Sequence, residues 1–464
     1  MSGTGSALAR GIDRVTGSAL GPHQTAIVRI GFSLTWLLFL LWELPHRHQL
    51  YGPDGPWSWS MARDWTADNG AFTALMWFDG NLWFELVYGL AVLSSALLLL
   101  GWRTRTMSVL FMIGVLSLQN RSVFIGDGGD NVIHLMALYL VLTRCGQVWS
   151  LDARRERRSS AALARGERVR EDRVGPVLWW VLGVALSALT FSGELGWVWL
   201  VFFWGVWLGL ALWWAFDRKG PDRLNPNRRL LDVLANVVHN AGLFVIMAEA
   251  CLIYATAGWY KVQGSRWQDG TAVYYPLHLD YFSPWPALSD LMTQSGTFVM
   301  LVTYGTVIVQ VAFPFTLFNR KVKNVLLAVM IMEHSVIAVT LGLPFFSLAM
   351  IAADAVFLPT SFLRRFGRAV TRLWERVLGV FRRAKAPGPP GRDDTQGAEP
   401  KPEPERKSGP DPVPVAVPGQ RAGEAGRPVP AEPVGVGGDG PVRLGKDPAP
   451  DLPGDGAPPV GSPR

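Results

Sequence analysis

Cysteine, charge and soluble-domain motifs are what this chain has least of. Its 464 residues include two cysteines, Cys145 and Cys251, and neither belongs to a CxxC pair. That excludes a disulfide framework. Charged residues make up 17% of the chain against 49% hydrophobic ones, so long stretches have no charge to solvate them. No Gly-rich phosphate loop or nucleophile elbow occurs, which leaves nucleotide-binding and hydrolase readings without support. Nor does an apolar segment with a small-residue cleavage site precede the first long apolar run, which argues against a cleaved signal peptide. After about Lys385 bulky apolar side chains almost vanish.

What is present up to about Pro359 is a series of apolar runs near membrane-spanning length. About 20 apolar residues cross a bilayer core as a helix, because a helix satisfies its own backbone polar groups there. The runs are about 25–44, 82–100, 106–124, 131–143, 175–191, 195–216, 235–257, 297–318, 324–341 and 345–358. They predict an all-α polytopic membrane protein with about ten transmembrane helices in one bundle. No internal repeat of the kind found in secondary transporters is visible.

Threading ten spans collects the cations on one side. Arg103 and Arg105, the Arg-rich block 144–173, Arg218 to Arg229, Arg320 to Lys323 and everything from Arg364 onward fall together. The other side receives Arg47, Arg63, Arg121, Lys261 and Arg266. By the positive-inside rule the protein sits in the cell (inner) membrane with both termini cytoplasmic and the Lys261 loop outside. The net charge of +7 therefore belongs to loops beside spans and does not point to nucleic acid.

Four parts follow. Residues 1–24 form an interfacial segment, with Leu8, Ile12 and Val15 opposite Arg10, Asp13 and Arg14. Residues 25–360 are the membrane domain. Residues 361–385 alternate Arg with Leu, Val and Phe at helical spacing, as a basic helix on an anionic leaflet does. Residues 386–464 are Pro/Gly-rich with almost no Leu, Ile or Phe, which predicts a disordered cytoplasmic tail.

Ionisable residues inside spans are costly and mark candidate sites. Here they are Arg29, Glu85, Asp127, Asp130, His134, His239, Glu249, Glu333, His334 and Asp354. Arg29 and Glu85 are placed to form an interhelical ion pair. Asp354, near the inner end of its span, is placed to cap or to snorkel. His134, His239 and His334 lie at different depths, which disfavours haem. The His46/His48 pair does not make the repeated His boxes of a di-iron oxygenase, and no metal site is expected.

The segment from Cys251 to Trp285 holds the densest chemistry. Its apolar helix is expected to end at Ala257-Gly258 and to hand over to Trp259-Tyr260-Lys261. A polar, aromatic loop follows, with Arg266, Trp267, Asp269, Tyr274, Tyr275, His278 and Asp280. From the residues alone, Lys261 reads as a lysine that snorkels at a helix end, with a desolvated base as the alternative.

The stretch AGWYKVQGSRWQDGTAVYYPLHLDYFSPW resembles the signature of the vitamin K-dependent gamma-carboxylase family, and more closely its bacterial relatives carrying the HTTM domain. DNVIHLMALYLVLTRCGQVWSLDA resembles that family's Asn/His-bearing helix ending in Trp-Ser-x-Asp. EHSVIAVTLGLPFFSLAMI resembles its His-containing helix followed by a Pro-Phe turn and a Met-bearing helix. The resemblance covers roughly residues 20–365. It implies that Lys261 is the base acting on a reduced naphthoquinone, which in a bacterial membrane is menaquinol. It also implies lesser roles for His134 and His334, and a quinol surround of Trp259, Tyr260, Trp267 and Tyr274. The carboxylases carry a large folded extramembrane domain that holds their protein substrate, and residues 386–464 do not match it. Another similar bacterial protein resembles a membrane component of a sporulation-delaying toxin system, which points to maturation of a small peptide. The alternative is a non-catalytic scaffold or a proton-coupled carrier.

Overall fold

In the computed structural model, which describes residues 2–122, 124–168, 172–218 and 226–384, the regular elements are all helices. The predicted tail, 386–464, lies outside the described residues. The first half of the chain contains α1 (Ser2–Gly17), α2 (Pro22–Glu43), the short α3 (Arg47–Tyr51) and α4 (Trp59–Asn69), then α5 (Asn81–Leu100), α6 (Thr104–Gln119) and α7 (Gly128–Leu142). An Arg-rich helix, α8 (Leu151–Ala164), precedes α9 (Val174–Ser192) and α10 (Trp197–Arg218). The second half has the long α11 (Pro226–Gln263), short α12 (Ser265–Gln268) and α13 (Pro286–Thr293), then α14 (Gly296–Ala312), α15 (Arg320–Thr340), α16 (Pro344–Asp354) and α17 (Thr360–Ala384).

Among the described residues, seven helices are long and apolar enough to cross a membrane: α2, α5, α9, α10, α11, α14 and α15. Three shorter apolar helices, α6, α7 and α16 with its following turn, complete the set of apolar runs. Their apolar residues point all round rather than along one stripe, as expected where the surroundings are lipid or other helices.

Small residues set the closest helix contacts. A Cβ at Gly31 on α2 would lie 2.5 Å from Ala352 Cβ on α16, and one at Gly114 on α6 would lie 2.8 Å from Ala91 Cβ on α5. Such sites let backbones approach where hydrophobic collapse offers no drive. The α15–α16 hairpin turns at Gly342, whose φ of 65° only glycine adopts without strain.

Several polar residues read as candidates in the sequence turn out to hold the frame. Arg29 and Glu85 are not a pair. Arg29, with no exposed surface, donates to the carbonyls of Leu98, Leu99 (2.8 Å), Cys145 (3.3 Å) and Trp149 (2.8 Å). Leu98 and Leu99 lie in the last turn of α5, where carbonyls lack the usual i+4 donor; the Gly101 amide reaches Leu98 O at 2.9 Å, and the guanidinium adds donors to both. Glu85 instead meets Arg47 at 2.7 Å and His48 at 2.8 Å, since it lies in the second turn of α5 next to α3. Asp127 and Asp130 form a capping box on α7. His239 accepts from the Arg144 amide at 2.7 Å and contacts the Leu20 carbonyl at 2.8 Å. With Asn236 and Asn240 it ties the end of α1 to α11.

Three arginine-bearing segments meet on one ring. Arg105 lies 4.5 Å, Arg144 5.6 Å and Arg228 4.2 Å from the centre of Trp213. These come from the start of α6, the residues just after α7 and the start of α11, so the cationic ends of those helices share a side.

Candidate functional site

The candidate site begins with a helix that runs farther than its sequence suggests. α11 does not stop at Ala257-Gly258 but continues to Gln263, which places Lys261 on its last turn. The continuation follows from packing at Gly258. A Cβ there would lie 2.7 Å from Val311 Cγ2 and 3.2 Å from the Val311 nitrogen, so glycine lets α11 lie against α14. That contact brings the preceding residue of α14, Gln310, to the lysine.

Lys261 Nζ donates to Gln310 Oε1 at 2.8 Å, and Gln310 Nε2 donates to Glu333 Oε1 at 3.0 Å. The two ionisable groups are thus joined through a neutral amide and not as a direct ion pair. A glutamine with both ends engaged is well suited to this, having one acceptor oxygen and two N–H donors. Trp267 covers the amine from the other side, with Nζ 5.2 Å from its ring centre. It gets there because the chain folds back after α11: the Gly264 amide bonds to Lys261 O and the Trp267 amide to Gly264 O. The Tyr304 hydroxyl, bonded to Gln268 O at 2.8 Å, fastens this turn to α14. Nearby, the hydroxyl and amide of Thr271 hold the Asp269 carboxyl below its ordinary range.

A second polar group lies beside the first. His334 follows Glu333 on α15, and its Nε2 is 3.1 Å from the Tyr254 hydroxyl on α11. Both side chains are buried. Asp354, at the end of α16, is next to Tyr254 and has no exposed surface, so it does not snorkel.

The residues proposed from sequence therefore divide. Lys261, Trp267 and His334 converge between α11, α12, α14 and α15. His134 is half-buried on α7 and makes no hydrogen bond to this network. Trp259 and Tyr260 leave 64% and 75% of their surface uncovered by protein, pointing away from the amine into the surrounding phase. Tyr274 stacks on His278 with ring centres 4.0 Å apart. Glu249 is half-buried outside the network. Gln310 and Tyr254 are the residues that a search for ionisable groups passes over; a lone amide in the apolar run VTYGTVIVQVA was the available signal. Among the described residues no three His, Cys, Asp or Glu side chains are grouped to hold a metal ion.

A separate apolar cavity of about 440 Å³ lies between α5–α6 and the α9–α10 hairpin, lined by Trp77, Leu90, Ile113, Leu186, Phe203 and others. It shares no residue with the Lys261 network.

No known protein family matches the sequence, and no solved structure matches the fold. Over 111 residues the chain is 32% identical to "Uncharacterized protein YitO" of Bacillus subtilis (strain 168), an overlap of 23% of this chain and 36% of that protein. This relative is therefore matched over about a third of its length.

Proposed function

We propose that the chain is a ten-span membrane enzyme of the HTTM, gamma-carboxylase-like type, with both termini cytoplasmic and Lys261 acting as a base on a lipid quinol. The observation that carries this is the placing of Lys261. Its amine is drawn in from the helix end, bonded to one neutral acceptor and covered by an indole. A lysine that merely anchors a helix extends its ammonium to the headgroups.

The residues suit a planar, two-hydroxyl lipid. Nζ engages a single hydrogen-bond partner, so a lone pair or a further N–H remains for an incoming hydroxyl. Trp267 offers a flat apolar wall beside it, and Trp259 and Tyr260, which face outward, line the approach from the bilayer. A bound naphthoquinol supplies an acidic hydroxyl and reducing equivalents. The chain's part is to hold a neutral amine at Nζ, take the hydroxyl proton there, and balance the resulting ammonium with Glu333 through Gln310. General-base help of this kind contributes roughly 10²–10⁴ in rate. The substrate that is finally modified, a small peptide on this reading, is handled on the outer side.

A photoreactive naphthoquinone added to membranes tests the site. Labelling confined to the peptide holding residues 259–275 is the expected result, and labelling elsewhere that ignores this peptide would remove the quinol site. A proton-coupled carrier is the second reading, favoured by the buried acid Asp354. A carrier keeps transport without quinol, and the enzyme does not.

A further inference from the structure

Among the described residues Asp354 is a fully buried acid with no cation beside it. Asp354 has no exposed surface, and neither carboxyl oxygen makes a well-aligned hydrogen bond, although the Tyr254 hydroxyl is its polar neighbour. The ionisable groups that feel it are Tyr254 and Cys251 on α11 and Glu333 on α15. From α2, the neighbour at this level is Gly31, packed on Ala352. Arg29 of that helix is engaged by four backbone carbonyls elsewhere. On α7, Asp127 and Asp130 are taken up by the helix cap, and Gly129 meets α16 near Phe346. Lys261 is bonded to Gln310, not to Asp354.

An ionised carboxylate in such a place has lost its water and gained no counter-charge, which is strongly unfavourable. A neutral carboxylic acid avoids that penalty. Beside it lies Tyr254, whose hydroxyl can pass one proton while receiving another, and 3.1 Å beyond lies His334 Nε2. His334 Nδ1 is buried without a partner, so the ring is not locked into one tautomer from its far side.

We infer that Asp354, Tyr254 and His334 form a proton relay through the bundle, with the proton stored on Asp354 at rest. In the transfer a rotation of the carboxyl closes its contact with Tyr254, the Asp354 O–H bond breaks and its proton goes to Tyr254 Oη. The Tyr254 hydroxyl proton goes at the same time to His334 Nε2. The products are a carboxylate and an imidazolium, no net charge is created, and the reverse step restores three neutral groups. The relay rests on the Lys261 reading only for its use.

Infrared and nitrogen NMR spectra of the full chain in lipid nanodiscs, without quinol, test this. A carboxylic-acid carbonyl band that shifts in D2O is expected at neutral pH, is lost in Asp354→Asn, and persists in Tyr254→Phe and Lys261→Arg. The Nε2 resonance of His334, assigned with His334→Gln, is expected to move in Tyr254→Phe. A wild-type spectrum without any such band overturns the proposal with no variant needed. So does a band unchanged in Asp354→Asn, or an Nε2 resonance indifferent to Tyr254→Phe. Because no quinol is present, these outcomes are independent of whether Lys261 proves to be the base.

Discussion

Arg29 offers the sharpest test of how the frame is held. Replacing it with methionine keeps most of the stem volume and removes the guanidinium from the carbonyls of Leu98, Leu99, Cys145 and Trp149. Each bond from a charged donor is worth about 1.5–3 kcal/mol in a soluble protein. Hydrogen bonds between membrane helices average nearer about 0.6 kcal/mol, because the reference state also finds partners. Removing a buried charge relieves its own desolvation, which lowers the net loss further. Four bonds on the membrane scale give about 2 kcal/mol, and unpaired buried carbonyls raise the upper bound to about 5 kcal/mol. Arg29→Lys should recover only part, since one ammonium cannot span acceptors on α5 and on the chain after α7. Unfolding by denaturing detergent in mixed micelles measures the difference. A methionine variant within about 0.5 kcal/mol of wild type would refute the assignment of Arg29 as the clasp between α2, α5 and residues 145–149.

Three further outcomes are expected. Single cysteines at Ser58 and Ser265 should react with an impermeant thiol reagent on intact cells and one at Ser408 should not; the opposite pattern overturns the ten-span threading. Truncation after Lys385 should leave a monodisperse, membrane-inserted protein, because the removed segment is too poor in apolar residues to contribute a core, and aggregation of the shortened chain would contradict this. Gly258→Val should push α11 from α14, cost about 1–3 kcal/mol and break the Lys261–Gln310 bond; a variant as stable and as active as wild type would show that this contact does not position the amine.

The helices were legible because runs of about 20 apolar residues admit little else, and the greater part of each of the ten runs lies on a helix. The polar residues were less so. Arg29 and Glu85 looked like partners because both sit in apolar runs. Charge alone does not say that a guanidinium can be satisfied by helix-end carbonyls, or that Arg47 on a short loop helix reaches Glu85 first. The motif Trp149-Ser150-Leu151-Asp152 is similarly structural in part. The Trp149 carbonyl receives Arg29, Ser150 caps α8, and Asp152 accepts from the amides of Arg103 and Thr104 at the start of α6. At the candidate site Lys261 stood out as a cation where an apolar run ends. Gln310 and Tyr254 did not, because they carry no charge and lie 49 residues after and seven residues before it. Which uncharged side chains meet a given amine is fixed by helix packing, at Gly258 above all, and not by spacing along the chain.

The central claim is that Lys261 removes a proton from a lipid quinol, and Lys261→Arg tests it most directly. Arginine anchors a helix end as well as lysine does but does not become neutral, so it cannot serve as the base. The measurement is consumption of reduced menaquinone by the purified full chain in liposomes, wild type beside variant, at equal folding as judged by monodispersity. The account predicts consumption by wild type and a loss of about 100-fold or more in Lys261→Arg. Equal consumption by the arginine variant, or none by wild type, would contradict it.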